Sequence, residues 1–436
     1  MKKVVPFLSL ILLSINLFAQ QADSVTMLPG TSVDVYYNLS TGTKDTVRNT
    51  NWHIAFAVRK AQPPLKTMQA ATIIVNDGRS VDMYKSNQTF ANWKNFDTSG
   101  WMRWTQTTNS DSTWDVGALN QIRSLSNPFD YGWGQYDMAS KDVVGDQIWL
   151  MAIAVSPNPA APRLLKKLTV HSIVYDTMWV FTISNIDGTD SNTVSIRKSN
   201  FNNKLFAYYN VLTNTVIDRE PALNTWDILF TRYKTMVTLF GQTLMYPVMG
   251  VLHNPTVTTA KYIGADAKTY VPKASLDFKT NINQMGWDWK LITTTPGNWP
   301  IRDSLSYVVK TGLNSFYRLF FTEYFASSTR QNISFNKTLF TDLTSTSEVK
   351  EAFNNLQVYP NPASEKLNIE LSVIKPIASL NVELMDITGR VIQSQNFTQV
   401  KGNFDLTIST ATLNSGVYFL TVQTEGYKVS KKVVIN

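Results

Sequence analysis

The stretch Asn51-Trp52-His53-Ile54-Ala55-Phe56 decides the fold, because it reads with a period of two and then returns as Thr225-Trp226-Asp227-Ile228-Leu229-Phe230. A period of two is the signature of a strand that shows one face to a core. In this reading Trp52, Ile54 and Phe56 share one face, Trp226, Ile228 and Phe230 share the equivalent face, and His53 points to solvent. The correspondence extends in order on both sides. Tyr36-Tyr37-Asn38 precedes the first copy as Tyr208-Tyr209-Asn210 precedes the second. Lys60 and Lys234, Asn76 and Asn254, Tyr84 and Tyr262, and Gly132-Trp133 and Gly286-Trp287 follow. Phe181 with Phe320, Ser195 with Ser334 and Lys198 with Lys337 complete the series without gaps. A Trp-x-Ile-x-Phe pattern alone could arise from composition, but ordered matches favour an internal duplication. The first copy carries extra residues between Tyr84 and Trp179.

Other segments carry the same period. Val33-Asp34-Val35-Tyr36-Tyr37, Thr72-Ile73-Ile74-Val75 and Trp179-Val180-Phe181-Thr182-Ile183 read as strands, and Asn76-Asp77-Gly78 and Asp187-Gly188 as turns. No long amphipathic helix interrupts them, so the expected class is all-β. The expected division is residues 21–203 and 204–340 as two tandem β domains, 341–355 as a Ser/Thr-rich linker, and 356–436 as a smaller Ig-like β-sandwich.

Lys2 and Lys3, the apolar run Val4 to Phe18, and Ala19 form the charged, apolar and small-residue parts of a signal peptide over residues 1–20. That run is too short for a bilayer span of roughly 20 residues, and no later stretch is longer, so no transmembrane segment is expected. The sequence contains no cysteine, which excludes disulfides, zinc–thiolate sites and cysteine nucleophiles. Its net charge of +8 comes from 40 basic against 32 acidic residues scattered among one another, with no patterned basic face, so nucleic acid is not an expected partner.

The C-terminal part carries four ordered blocks. They are Val358-Tyr359-Pro360-Asn361-Pro362-Ala363, Met385-Asp386-Ile387-Thr388-Gly389-Arg390-Val391, Leu413-Asn414-Ser415-Gly416-Val417-Tyr418-Phe419-Leu420, and Lys431-Lys432-Val433-Val434-Ile435-Asn436. Pro360 and Pro362 restrict the backbone around Asn361, Gly389 closes a turn, and Gly416 precedes an alternating strand. These blocks resemble the type A sorting domain of the type IX secretion system. The resemblance implies recognition by the outer-membrane translocon through Pro360, Asn361, Pro362, Gly389, Gly416, Lys431 and Lys432, and a secreted or cell-surface location.

The second copy resembles the HmuY family of bacterial haem-binding proteins. The residues that carry this are Tyr208-Tyr209-Asn210, the block around Trp226, Gly286-Trp287-Asp288-Trp289-Lys290, Tyr307-Val308-Val309-Lys310, Tyr317-Arg318-Leu319-Phe320-Phe321 and Ile333-Ser334-Phe335. The resemblance implies an all-β fold that grips haem between loops, with iron held by His or Met. Ligand candidates here are Met285, His253, His171 and Met138, and pocket candidates are Trp287, Trp289 and Trp299; no metal beyond haem iron is expected. This chain departs from the pattern, since no histidine lies between Tyr262 and Tyr307 and the lipid-anchoring cysteine of the family is missing. The functional expectation is a secreted or surface protein that captures haem or a related porphyrin, with a non-catalytic surface binding or adhesion protein as the alternative. No His-Glu-x-x-His, Gly-x-Ser-x-Gly or P-loop pattern occurs, and Asp227 with Asp218 or Glu220 is the nearest approach to a carboxylate pair, so an enzyme is not expected.

Overall fold

The computed structural model describes residues 20–59, 70–156, 158, 160–239, 241–293, 295–312, 315–340, 353–387, 390–424 and 427–436. The signal peptide of residues 1–20 lies outside them except for Gln20, as do the linker up to residue 352 and Gly389. The described residues are dominated by strands, and their helices are short 3-10 turns. They divide into two compact units, one of Met1–Tyr270 with Asp277–Thr341, the other of Val271–Leu276 with Asp342–Asn436.

The larger unit is built from paired sheets that interleave the two copies. One sheet has the order Gln242–His253, Ile228–Leu239, Val33–Tyr37, Lys44–Arg48, and another the order Thr215–Ile217, Phe206–Asn210, Ile54–Ala57, Ile73–Val75. The 33–48 hairpin of the first copy therefore pairs with the second copy, through Val35 opposite Phe230. The 206–217 hairpin of the second copy pairs with the first, through Ala207 opposite Phe56. The boundary at 203/204 is thus crossed in both directions by antiparallel pairing.

Each exchanged hairpin completes a core. Val33, Val35, Tyr37 and Leu39 pack with Ile228, Phe230, Tyr307, Phe321 and Phe335. Ala207, Tyr209 and Val211 pack with Ile54, Phe56, Trp149, Trp179 and Phe181. The outer sheets over these cores run Gln20–Met27, Gln331–Phe340, Phe316–Ala326, Leu305–Lys310, Thr258–Ile263 and, on the other side, Asn192–Arg197, Met178–Asn185, Leu164–Val174, Gln147–Ile153, Val81–Thr89, Thr105–Thr107. Leu305–Lys310 pairs directly with Thr258–Ile263, whereas Gln147–Ile153 is inserted between Leu164–Val174 and Val81–Thr89. That inserted strand accounts for part of the extra length between Tyr84 and Trp179.

The correspondence is repeated in hydrogen bonds. His53 N–H donates to the Tyr209 carbonyl at 3.0 Å, and Asp227 N–H to the Tyr37 carbonyl at 2.9 Å. Val211 N–H donates to His53 Nδ1 at 3.2 Å, and Leu39 N–H to Asp227 Oδ2 at 2.8 Å. Asn76 and Asn254 donate from their side-chain amides to the carbonyls of Trp52 and Trp226, at 3.1 and 3.0 Å.

Two expectations are corrected here. Trp52 and Trp226 do not share a face with their Ile and Phe neighbours; both lie in a separate cluster with Tyr36, Tyr208, Leu205 and Leu229. The strands begin only at Ile54 and Ile228, so each Trp precedes the pleat and the period of two does not govern it. His53 is buried rather than facing solvent, because its ring nitrogen is the acceptor for the exchanged hairpin.

In the smaller unit, Lys366–Asp386 and Val391–Ser409 pair along most of their length. The register breaks between Val373 and Ile377. Before the break Lys366–Asp386 also pairs with Phe353–Tyr359, and after it with Gly416–Thr424. Leu367, Ile369 and Leu371 from the first half then meet Leu380, Val382, Leu420, Val433 and Ile435 in one core. A bent hairpin thus supplies both layers.

Candidate functional site

The seam between the exchanged hairpins gathers four buried charged side chains, Asp34, Asp77, Arg219 and Glu220. Alternation along Val33–Tyr37 sends Val33, Val35 and Tyr37 into one core and leaves Asp34 and Tyr36 on the seam. The same alternation sends Ala207 and Tyr209 to the other core and Phe206 and Tyr208 to the seam. There Tyr36 meets Trp226 edge-on at 5.0 Å, and Tyr208 meets Trp52 edge-on at 5.0 Å. The indole N–H groups of both tryptophans are buried without partners.

Arg219, just beyond Thr215–Ile217, breaks this symmetry. Its Nη2 donates to Asp34 Oδ2 at 2.6 Å, its Nε donates to the Arg48 carbonyl at 3.1 Å, and its guanidinium lies over the Tyr208 ring at 4.8 Å. Asp34 Oδ1 also accepts from Thr231 Oγ1 at 2.7 Å and Asn49 Nδ2 at 3.1 Å. Burial alone would lower the Arg219 pKa, but Asp34 and the neighbouring tyrosines hold it above the usual arginine value. Glu220 accepts the N–H groups of Leu205 and Phe206 and the hydroxyl of Tyr208. Burial outweighs these donors and pushes its pKa up to about 7.

The Asn76-Asp77-Gly78 turn closes one side. A Cβ on Gly78 would stand 2.4 Å from the Arg232 carbonyl oxygen, so only glycine lets this turn sit against the Ile228–Leu239 strand. Asp77 is buried, accepts the Asn109 N–H on Oδ2 at 2.8 Å, and has its pKa pushed up to about 6, chiefly by burial. Asp34, Asp77, Arg219 and Glu220, with Trp52, Trp114 and Tyr233, line a cavity of about 80 Å³. That is room for several waters or roughly five to seven non-hydrogen atoms.

The haem candidates do not converge. Met285 is fully buried in the core with Tyr307, and Trp289 beside it stacks on Phe321 at 3.9 Å. Trp299 packs against that same core, while Trp287 packs on a different cluster with Tyr233 and Leu252. His253 ends the Gln242–His253 strand and is fully buried, with Nδ1 on the Asn254 carbonyl at 2.9 Å. Burial lowers its pKa. His171 lies on Leu164–Val174, bonded to Thr182 Oγ1 at 2.7 Å and edge-on to Phe90. Met138 is exposed in a turn.

The carboxylates weighed for acid–base chemistry are also spoken for. Asp227 holds the Leu39 N–H, Glu220 holds the Leu205 and Phe206 N–H groups, and Asp218 pairs with Lys204 at the surface. Sequence reasoning missed the seam group of Asp34, Asp77 and Arg219. One signal was present in Asp34, a charge inside an otherwise apolar strand, which normally reads as a solvent-facing position.

In the smaller unit the sorting residues are drawn to the last strand. Asn361 donates from Nδ2 to the Lys432 carbonyl at 2.9 Å and accepts the Val434 N–H on Oδ1 at 2.8 Å. It is held between Pro360 and Pro362, and Ala363 N–H donates to the Val434 carbonyl at 2.8 Å. Lys431 Nζ donates to the Leu356 carbonyl at 2.6 Å, and Gly416 opens the neighbouring strand opposite Ile435.

Among solved structures the chain is similar to dimeric latent PorU from Porphyromonas gingivalis, at 10% identity and a TM-score of 0.17, covering 84% of this chain and 31% of that one. It is also similar to the BSP domain of a biofilm associated protein, at 8% identity and a TM-score of 0.17, covering 96% of this chain and 81% of that one. At such scores neither likeness carries an argument. No curated protein sequence matches the chain. Among the described residues no helix is long and apolar enough to cross a membrane. Residues 357–436 match the family model of the secretion system C-terminal sorting domain, and the protein is accordingly exported across the outer membrane to the cell surface or the medium.

Proposed function

We propose that this protein is an exported, non-catalytic binding protein whose ligand-contacting element is the seam cavity of the larger unit. The observation that carries the reading is the placement of buried charge. Asp34, Asp77, Arg219 and Glu220 surround one small space, although burying such groups costs stability that apolar residues would not. Polar groups converging on a concave, aromatic-lined space are the usual marks of a ligand site. Native mass spectrometry of protein collected from culture medium tests it. A retained small molecule, absent from a Leu229→Phe variant that fills the cavity, is the expected result. Empty protein that also ignores a fragment library would sink the reading.

Haem capture is the second reading, and it rests on the HmuY-like resemblance. It would need Met285 or His253 to leave its present packing, and a macrocycle exceeds the seam cavity many times over. Haemin added to the 21–340 fragment discriminates. A Soret shift lost in Met285→Ala or His253→Ala would favour haem over the seam. Export is tested separately: deletion of residues 356–436 is expected to leave the chain in the periplasm.

A further inference from the structure

The lining of the seam cavity is unbalanced in charge. It contains three carboxylates, Asp34, Asp77 and Glu220, and two arginines, Arg219 and Arg232. Arg232 alternates with Thr231 and Tyr233 along its strand, so its side chain leaves the seam on the Phe230 face. Asp34 and Arg219 neutralise each other at 2.6 Å. Glu220 is saturated by two main-chain N–H groups and a tyrosine hydroxyl.

Asp77 is different. Among the described residues its only hydrogen-bond donor from another part of the chain is the Asn109 main-chain N–H, and no cationic side chain pairs with it. Lys234 acts on it only through space and bridges Asp82 at 2.8 Å, a carboxylate that Arg163 also bridges at 3.1 Å. Around the same space stand five aromatic side chains, Tyr36, Trp52, Trp114, Tyr208 and Tyr233. Arg219 already occupies the faces of Tyr208 and Trp52, at 4.8 and 5.8 Å. Trp114 and Tyr233 have no cation over them among the described residues. A buried carboxylate with no direct ion pair, beside aromatic side chains that carry no cation, is complementary to an ammonium group.

Taking the seam cavity as the ligand site, we infer that its ligand is a small organic cation, a primary or quaternary ammonium compound, with Asp77 as counter-charge and Trp114 and Tyr233 as aromatic walls. The volume suits a compound of roughly five to seven non-hydrogen atoms.

The test uses the full mature chain and four probes: choline, methylammonium, acetate, and the uncharged alcohol in which carbon replaces the choline nitrogen. Tryptophan fluorescence and thermal shift are the readouts. Saturable responses to choline or methylammonium, with none to the uncharged alcohol or acetate, are expected. Asp77→Asn should weaken the ammonium response about tenfold or more, and Trp114→Leu should weaken it while keeping the carboxylate. Should Asp77→Asn fail to fold, the charged and uncharged probes on the unmutated chain still decide. A response to acetate or the alcohol alone overturns the cation assignment and leaves the cavity as a ligand site. No response to any probe overturns the assignment and counts against the cavity as well.

Discussion

The two sides of the seam are the same device built twice, with different chemistry at the same positions. On one side Trp52 meets Tyr208 and His53 receives the Val211 N–H; on the other Trp226 meets Tyr36 and Asp227 receives the Leu39 N–H. A histidine and an aspartate do the same structural work, because the position demands only an acceptor aimed at a turn N–H. The difference lies in what surrounds each half. The Trp52 side carries Arg219 stacked on Tyr208 and Trp52, and among the described residues the Trp226 side has no such cation. Symmetric positions hold the hairpins, and the asymmetric charges of Arg219 and Asp34 answer each other across the seam.

The comparison breaks most easily at its tryptophans. Trp52→Ala and Trp226→Ala should each cost about 3–5 kcal/mol in denaturant unfolding, and by similar amounts. Strongly unequal losses would show that the two sides are not energetically equivalent.

Arg219→Met comes next, at about 3 kcal/mol, because it strands the buried Asp34 carboxylate. Adding Asp34→Asn should recover much of that loss, and equilibrium unfolding of the three variants measures the coupling. A simple sum of the two single losses would contradict the ion pair as the asymmetric element.

Glu220 sharpens the comparison through pH. Its pKa rises from 4.5 to about 7 on folding, so the folded state holds the proton more tightly. Its contribution is fully present below about 4.5 and is lost as pH rises through about 7, by up to about 1.4 kcal/mol per pH unit. Glu220→Gln should flatten that fall, read as melting temperature against pH.

The smallest effect separates His53 from Asp227. His53 drops from 6.5 to about 4 on burial, so it favours unfolding as pH falls from 6.5 towards 4, and His53→Asn should flatten that acid limb. Asp227 is raised above 3.8 by burial, so its contribution is lost as pH rises through its raised value. Asp227→Asn should therefore change the pH slope with the opposite sign. Equal signs in the two variants would contradict the equivalence.

Much of this was legible in the sequence, and the limits are physical. The all-β class, the strands at Val33–Tyr37, Ile73–Val75 and Met178–Asn185, and the Asn76-Asp77-Gly78 and Asp187-Gly188 turns follow from local period and turn chemistry. The sorting blocks were readable because each is a contiguous string. The orientation of Trp52 was not, because a period of two says nothing about the residue before the ladder begins. The haem candidates were selected by residue type in separate segments, and residue type carries no information about convergence: Met285 and Trp289 entered a core, while Met138 stayed at the surface.

Ordered matches between Tyr36-Tyr37-Asn38 and Tyr208-Tyr209-Asn210, and between the blocks at Trp52 and Trp226, were set by sequence alone, since each needs only its own neighbours to be recognised. Which copy each hairpin joins was decided only in three dimensions. Tyr37 and Tyr209 have equivalent local patterns, and either could fill either core by composition. Pairing across the copies, Val35 to Phe230 and Ala207 to Phe56, is a choice between non-local partners of similar chemistry. That choice also placed Asp34 of the first copy beside Arg219 of the second, 185 residues away in the chain, and so created the seam.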